Sequence, residues 1–248
     1  METHFRLTRM SKQSNKVISK LTFHKLDWLE KVTLALAIWF LIYPKPYTIL
    51  FTILLIIPIL GLVLNGLNGK PSIASLVEIT KKDDGDNKYD VADFIDMAAI
   101  AIFIRVLIDY EFEDFYSLII PGTIGFVLMV IVLLLTHKMI VDNGKSRFWI
   151  YSSLFFNIFL YSYSATYGIN CSYDFSEPKV FDAEIIDKHI SKGRRHTTYY
   201  IRVTPWGHHH DAEDISVASS QYHSYAIGET VKIDLKQGLL NIPWYYVE

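Results

Sequence analysis

Three long apolar runs lie in the chain before residue 174. Residues 32–64 contain one charged residue, Lys45, and residues 118–136 and 148–173 contain none. These runs approach or exceed the roughly 20 apolar residues that a helix needs to cross a bilayer. The pattern therefore predicts an integral membrane protein, and it excludes a soluble globular enzyme, a disordered chain and a disulfide scaffold.

Prolines and charged residues divide these runs into five predicted helices. Pro44 and Pro46 interrupt the first run and indicate a helical hairpin, because proline removes a helical hydrogen bond and restricts the residue before it. The segment 91–110 carries charges around an apolar centre. It fits either a spanning helix or a helix at the membrane interface, and we count it as spanning. The predicted spans are 29–43, 47–67, 91–110, 118–136 and 148–169, and the charged segment between the second and third of these is predicted to be a solvated loop.

Short segments of alternating polarity follow the last apolar run. Residues 197–204 alternate most clearly, and further strands are predicted at 180–187, 214–218, 231–235 and 242–247. Five short strands suit a small antiparallel barrel or sandwich of the SH3 or OB kind. The predicted fold class is therefore a membrane α-helical protein with about five transmembrane helices and a small all-β C-terminal domain. Its predicted parts are a basic N-terminal arm (1–28), a transmembrane domain (29–170) and the β-domain (172–248).

Composition and charge predict the membrane in which the protein lies and the side on which its C-terminal domain is placed. Only 20% of the residues are charged, 51% are hydrophobic and the net charge is −2, so nucleic-acid binding is unsupported. With five spans and a cytoplasmic N-terminus, the inner segments hold 14 Lys and Arg residues and the outer loops hold only Lys45. This bias predicts a bacterial inner-membrane protein whose C-terminal domain is extracytoplasmic. If 91–110 does not span, that domain is cytoplasmic instead.

Several segments of the C-terminal part carry a family resemblance: 181–186 (FDAEII), 199–203 (YYIRV), 228–233 (GETVKI) and 238–245 (GLLNIPWY). Over roughly the last 70 residues the chain resembles uncharacterised bacterial membrane proteins in which a small β-domain follows or separates membrane helices. The resemblance implies an extracytoplasmic β-domain. It implies no activity, because that type of protein has no catalytic motif.

A histidine-rich loop holds the candidate metal ligands His208, His209, His210 and Asp211. Imidazole and carboxylate groups bind divalent transition metals. Consecutive residues of an extended segment point in alternating directions, however, and the zinc-hydrolase spacing H-E-x-x-H is absent. The alternatives are an exposed loop, a weak transition-metal site and a loop that responds to pH. No other cofactor is predicted.

A second candidate site lies on the charged helix and comprises Asp96, Arg105 and Asp109. Arg105 and Asp109 are four residues apart and are predicted to form an ion pair on one helix face. The group fits either a structural ion pair or the lining of an ion or proton path. If the pair is structural, Arg105→Ala is expected to lower the yield of folded protein.

No nucleotide-binding, hydrolase or paired-cysteine motif occurs, so no enzyme activity is predicted. The sequence favours a membrane-anchored binding or scaffold protein whose β-domain recognises a protein partner, for example an immunity or accessory protein. The alternative is a channel, transporter subunit or sensor that uses the charged helix. The expected partners are the lipid bilayer and a protein, and a homo-oligomer is compatible with either function.

Overall fold

The structure is a computed structural model that describes residues 26–67, 69–81, 87–140, 146–193 and 197–248. Most of the predicted basic arm therefore lies outside the described residues. The chain divides into two compact units. The helical unit comprises Met1–Asp109 and Leu118–Gly168, and the β unit comprises Tyr110–Ser117 and Ile169–Glu248.

Five long helices form close to the predicted positions. Their bounds are α1 Asp27–Ile42, α2 Tyr47–Gly66, α3 Asp93–Asp109, α4 Ile119–Thr136 and α5 Ser146–Ser172. In the helical unit, α3 packs against α1 and α2, and α2 packs against α4. A short 3-10 turn, Phe115–Leu118, leads directly into α4.

The prediction of about five transmembrane helices is wrong. Among the described residues, two helices are long and apolar enough to cross a bilayer, namely Tyr47–Gly66 and Phe115–Thr136. The helices α1 and α3 have only 16 and 17 residues, and both carry charged side chains in their first turn. Helix α5 has 27 residues and is therefore long enough to cross a bilayer, so its absence from these two helices has another cause.

Polar residues on its buried face make α5 less apolar than its length suggested. Ser162, Ser164 and Thr166 are all buried. The hydroxyl groups of Ser164 and Thr166 donate to the carbonyl one turn earlier in the same helix, as Thr166 Oγ1 does to Ser162 O at 2.7 Å. The Ser162 hydroxyl has no hydrogen-bond partner among the described residues. Ser162 and Thr166 share the face that meets α4 closely, since a Cβ atom on Gly125 would lie 2.8 Å from Thr166 Oγ1. Small polar residues thus occupy the helix contact where an apolar span was expected.

A proline inside α2 is accommodated by a neighbouring helix. Pro58 has no backbone N–H, so the hydrogen bonding of the preceding turn is disturbed. The buried Tyr161 hydroxyl of α5 donates to Leu55 O in that turn at 2.5 Å. This bond joins α5 to α2 at the residue after Leu54, whose carbonyl loses its usual helical donor at Pro58.

The segment predicted as a solvated loop instead contains a β-hairpin. Strands β1 (Val77–Lys81) and β2 (Asn87–Val91) pair antiparallel, with Val77 opposite Val91. Residues 82–86, the charged centre of the predicted loop, lie outside the described residues. The hairpin leads directly into α3, because Ala92 N bonds to Leu76 O at 2.9 Å.

The β unit contains one curled sheet of six strands, where the sequence predicted a barrel or sandwich of five short strands. The strands are β3 Glu111–Phe112, β4 Lys179–Lys192, β5 Thr197–Val203, β6 Glu213–Val217, β7 Thr230–Lys236 and β8 Trp244–Val247. They are ordered β3-β8-β7-β4-β5-β6, and every adjacent pair is antiparallel. A short helix, α6 (Ser219–Ser224), follows β6.

The long strand β4 bends the sheet around a small core. Its first half pairs with β7 and its second half with β5, and the register shifts between Ile185 and Asp187. Such an irregularity increases twist and lets a sheet curl. The core beneath it contains Ala183, Ile185, Ile201, Val203, Trp206, Ile215, Val231, Ile233 and Tyr245. The first strand, β3, comes from the chain between α3 and α4 and was not predicted.

Candidate functional site

An acidic pocket of about 370 Å³ lies in the helical unit. Its carboxylates come from α1, from both strands of the hairpin and from α3, namely Asp27, Glu30, Glu78, Asp90 and Asp93. Two of these residues lie in the first turn of α1 and one in the first turn of α3. The N-terminus of a helix carries a partial positive charge that favours carboxylates. Two helix starts therefore explain much of the acidic character.

Asp96, one helical turn after Asp93, is not part of the pocket lining and is buried within the helical unit. Its exposed fraction is 8%, and its Oδ1 atom has no hydrogen-bond partner among the described residues. Burial, and next the charge of Asp93, raise the pKa of Asp96 to about 7. The same two causes raise the pKa of Glu30 to about 7. Both side chains therefore hold protons more readily than ordinary carboxyl groups.

The predicted group of Asp96, Arg105 and Asp109 does not assemble. Thirteen residues of α3 separate Asp96 from Asp109, which corresponds to about 20 Å along a helix. Arg105 instead pairs with Asp109 through two bonds, with Arg105 Nε 3.0 Å from Asp109 Oδ2. The guanidinium also lies over the ring of Phe40, 6.0 Å from its centroid. The pair therefore packs as a structural element at the opposite end of α3 from Asp96.

The histidine-rich loop is organised around a single histidine. His209 is half-buried, and its Nε2 lies 2.9 Å from Glu113 Oε2. Its Nδ1 lies 3.0 Å from Glu213 Oε2. Each ring nitrogen therefore faces a different carboxylate. One imidazole cannot turn both nitrogens toward one ion, so this arrangement differs from a metal centre.

The other predicted metal ligands do not join His209. His208, His210 and Asp211 are exposed. Within the described ranges, no group of three or more His, Cys, Asp or Glu side chains is arranged to hold a metal ion. A transition-metal site at His208–Asp211 stays a prediction that this geometry does not support.

Two side-chain contacts of the β unit could not be predicted from the sequence. Glu113 is far from His209 in the chain, and its only signal was an acidic segment without Lys or Arg. Asn170 has no exposed surface, and its side chain binds the loop before β8 through Ile242 O at 2.7 Å and Leu240 N at 2.9 Å. The side chain that would carry a glycan at the Asn170-Cys171-Ser172 sequence is therefore occupied inside the β unit.

Aromatic side chains gather on the hairpin formed by β4 and β5. Tyr199 packs against Tyr222 and His223 of α6, with ring centroids 5.1 and 5.7 Å apart. On the other face of the hairpin, His189 stacks on Tyr200 at 5.0 Å. Tyrosine is enriched at protein interfaces because it combines a large apolar body with a hydroxyl group. We call Tyr199, Tyr222 and His223, which lie together on one face of the hairpin, the aromatic patch.

Comparisons of the chain with protein-family models, with curated proteins and with solved structures gave no match.

Proposed function

We propose that this chain is a membrane-anchored binding protein, in which the helical unit is embedded in a lipid bilayer and the β unit recognises a protein partner. The observation that carries the proposal is the large apolar surface that the helices leave uncovered. Soluble monomers rarely expose contiguous apolar patches above a few hundred Å², and larger ones mark membrane or partner contacts.

The two apolar helices leave much of their apolar surface uncovered, which supports contact with lipid. Only 39% of the apolar window of Tyr47–Gly66 and 22% of that of Phe115–Thr136 is buried within the protein. The exposed side chains of α4 are Ile119, Ile120, Ile124, Val127, Leu128, Ile131, Leu134 and Leu135. Exposing this apolar surface to water costs free energy, whereas contact with hydrocarbon does not.

The β unit has the opposite character. Its strands alternate, with exposed Lys232 between buried Val231 and Ile233 on β7. An antiparallel sheet with one polar face is typical of a surface in contact with water. The contrast between the two units supports an anchor joined to a water-exposed recognition domain.

The chain path supports one orientation. Within the helical unit, α4 and α5 run antiparallel: Thr123 near the start of α4 bonds to Tyr163 of α5 at 2.9 Å, and Ile140, just after α4, bonds through its N–H to Tyr151 near the start of α5 at 3.0 Å. Strand β3 precedes α4 and pairs with β8, which follows α5. The chain before α4 and the chain after α5 therefore lie on the same side of any bilayer that α4 crosses.

The connection between α4 and α5 carries Lys138, Lys145 and Arg147 in the sequence. Basic residues in short loops favour the cytoplasmic side. In this proposal the connection is cytoplasmic and the β unit is extracytoplasmic.

Single cysteines test the orientation. The native Cys171 is buried, so it is a poor reporter and is replaced by alanine. Met139→Cys and Phe175→Cys then introduce thiols at positions that are 51% and 91% exposed. With an impermeant maleimide on intact cells, we expect labelling at 175 and protection at 139 until lysis. Labelling of both positions, or of 139 alone, would contradict the orientation.

The aromatic patch is the surface of the β unit best suited to a protein partner. A photo-crosslinking amino acid in place of His223, which is exposed, is expected to yield a discrete adduct in cells. The same amino acid in place of Leu239, which is 52% exposed and outside the patch, is the matched control. Equal adducts from both positions, or an adduct only from the control, would count against recognition through this patch.

The alternative of an ion or proton path loses its main support. It required Asp96 to act together with Arg105 and Asp109, and these residues lie at opposite ends of α3. The function we favour uses the helices as an anchor.

A further inference from the structure

Three residues from distant parts of the sequence meet at one point of the β unit. His209 lies in the loop between β5 and β6, Glu113 directly follows β3, and Glu213 begins β6. The two contacts of the imidazole, at 2.9 and 3.0 Å, have hydrogen-bond length. The Glu113 side chain is only 9% exposed, so its carboxylate depends on this partner more than a surface group would.

The position of these residues in the sheet gives the contact a mechanical role. Strands β3 and β6 are the first and last strands of the six-stranded order, so each forms an edge of the sheet. No strand pairing joins these two edges among the described residues. The Glu113–His209–Glu213 bridge therefore connects two edges that the backbone leaves separate, and it fastens the connection between α3 and α4 to the rest of the β unit.

Aromatic rings and further acids surround the bridge. The ring of Trp206 packs on His209 with centroids 4.7 Å apart, and its Nε1 donates to Glu213 Oε1 at 2.6 Å. Tyr245 of β8 packs on Trp206 at 5.1 Å. The other charged or titratable groups facing this region are Glu111 of β3 and the exposed loop residues His208, His210 and Asp211. Burial, followed by the charges of Glu111, Glu213 and Glu113, raises the pKa of the Tyr245 hydroxyl.

The two contacts of His209 need two donors. An imidazolium ion donates from both ring nitrogens, whereas the neutral ring has one N–H and one lone pair. Both partners are carboxylates, which only accept when ionised. In the neutral ring, one of the two contacts would place a nitrogen lone pair against a carboxylate oxygen. With both carboxylates ionised, only the protonated ring satisfies both contacts at once.

We propose that Glu113, His209 and Glu213 form a proton-dependent latch that closes the curled sheet between its two edge strands. With the proton bound, His209 holds the segment Tyr110–Ser117 against the β5–β6 loop. When the proton leaves, one contact is lost and the segment detaches more often. The latch lies within the β unit, so it does not depend on the membrane anchor or on the aromatic patch.

Hydrogen–deuterium exchange of the full chain in detergent micelles tests the latch. Peptides covering 110–117 are followed at pH 5.5 and 8, and the rates are corrected for the intrinsic pH dependence of amide exchange. We expect the corrected rate to be at least about tenfold faster at pH 8 in the wild-type protein. His209→Gln keeps one amide donor and has no titrating ring, so its corrected rate should be the same at both pH values.

Two further variants separate the latch from general effects of pH. His210→Gln changes the exposed neighbour and should leave the wild-type pH dependence intact. Glu113→Gln supplies an amide that can donate to the neutral ring, so it should remove most of the dependence. A corrected rate that is equal at both pH values in the wild-type protein would overturn the latch, as would a pH dependence that persists in His209→Gln. The cysteine-labelling result above is unaffected by either outcome.

Discussion

At the scale of single residues, Asp96 is the side chain that the fold accommodates least well. It is buried, its Oδ1 lacks a hydrogen-bond partner among the described residues, and it is repelled by Asp93. A group whose folded-state pKa is raised binds protons more tightly in the folded protein. Its contribution to stability is therefore present below pH 4 and lost as the pH rises toward 7.

Asp96→Asn should consequently stabilise the protein at neutral and alkaline pH. The shift from 3.8 to about 7 corresponds to at most about 4 kcal/mol, and we expect the free energy of unfolding at pH 8 to rise by about 2–4 kcal/mol. The gain should shrink toward zero as the pH falls to 4. Chemical unfolding in detergent micelles across this range measures it, with the exposed Asp182→Asn as control. A gain independent of pH, or no gain at pH 8, would contradict the account.

Arg105 is expected to act through structure. Arg105→Ala leaves Asp109 without its cation in a site where burial already raises its pKa. We expect a loss of about 2 kcal/mol in the free energy of unfolding, less than for a fully buried pair. The exposed Arg202→Ala is the control. In the double variant with Asp109→Asn, much of the loss should be recovered, and a double variant less stable than Arg105→Ala would argue against a structural pair.

Residue-level contacts mark the limit of what the sequence could predict. The pairing of Arg105 with Asp109 followed from their spacing of four residues, because helix geometry is local. The contacts of His209 with Glu113 and of Asn170 with Ile242 did not follow, because these partners lie 96 and 72 residues away in the sequence. Such contacts depend on the path of the whole chain, which no local pattern encodes.

At the scale of elements, polarity predicted where helices and strands lie better than what surrounds them. The predicted helix at 47–67 is α2, Tyr47–Gly66, and the predicted strand at 197–204 is β5, Thr197–Val203. The surroundings of α5 were harder to predict, because this helix exposes apolar rings such as Phe156 and buries small polar residues. A run without charges therefore suggested a simple span. The hairpin β1–β2 was missed because its strands are short and charged.

The contact between α4 and α5 gives a prediction at this scale. A leucine at Gly125 cannot fit, since even a Cβ atom would come within 2.8 Å of Thr166 Oγ1. Gly125→Leu should lower the free energy of unfolding by about 1–3 kcal/mol, as expected for overpacking. Val127→Leu, at a 49% exposed position of the same helix, should change it little. Thermal unfolding in micelles compares them, and equal effects would mean that the close approach is not needed.

At the scale of the whole molecule, the two units differ in the surface that they show. The helical unit exposes continuous aliphatic side chains along α2 and α4, while the β unit buries a core of apolar side chains beneath one curled sheet. Sequence patterning anticipated this division between an apolar part and a polar part. It did not anticipate that residues Tyr110–Ser117 belong to the β unit.

The central claim is that the helical unit faces lipid, and photolabelling from within the bilayer tests it most directly. A lipid-soluble diazirine is activated in membranes that contain the full chain, and the modified peptides are mapped. We expect the label on exposed positions of α4 such as Ile124 and Leu128, and not on buried Leu133 or on exposed Ile227 of the β unit. Labelling of α4 no stronger than that of Ile227 would contradict the membrane anchor.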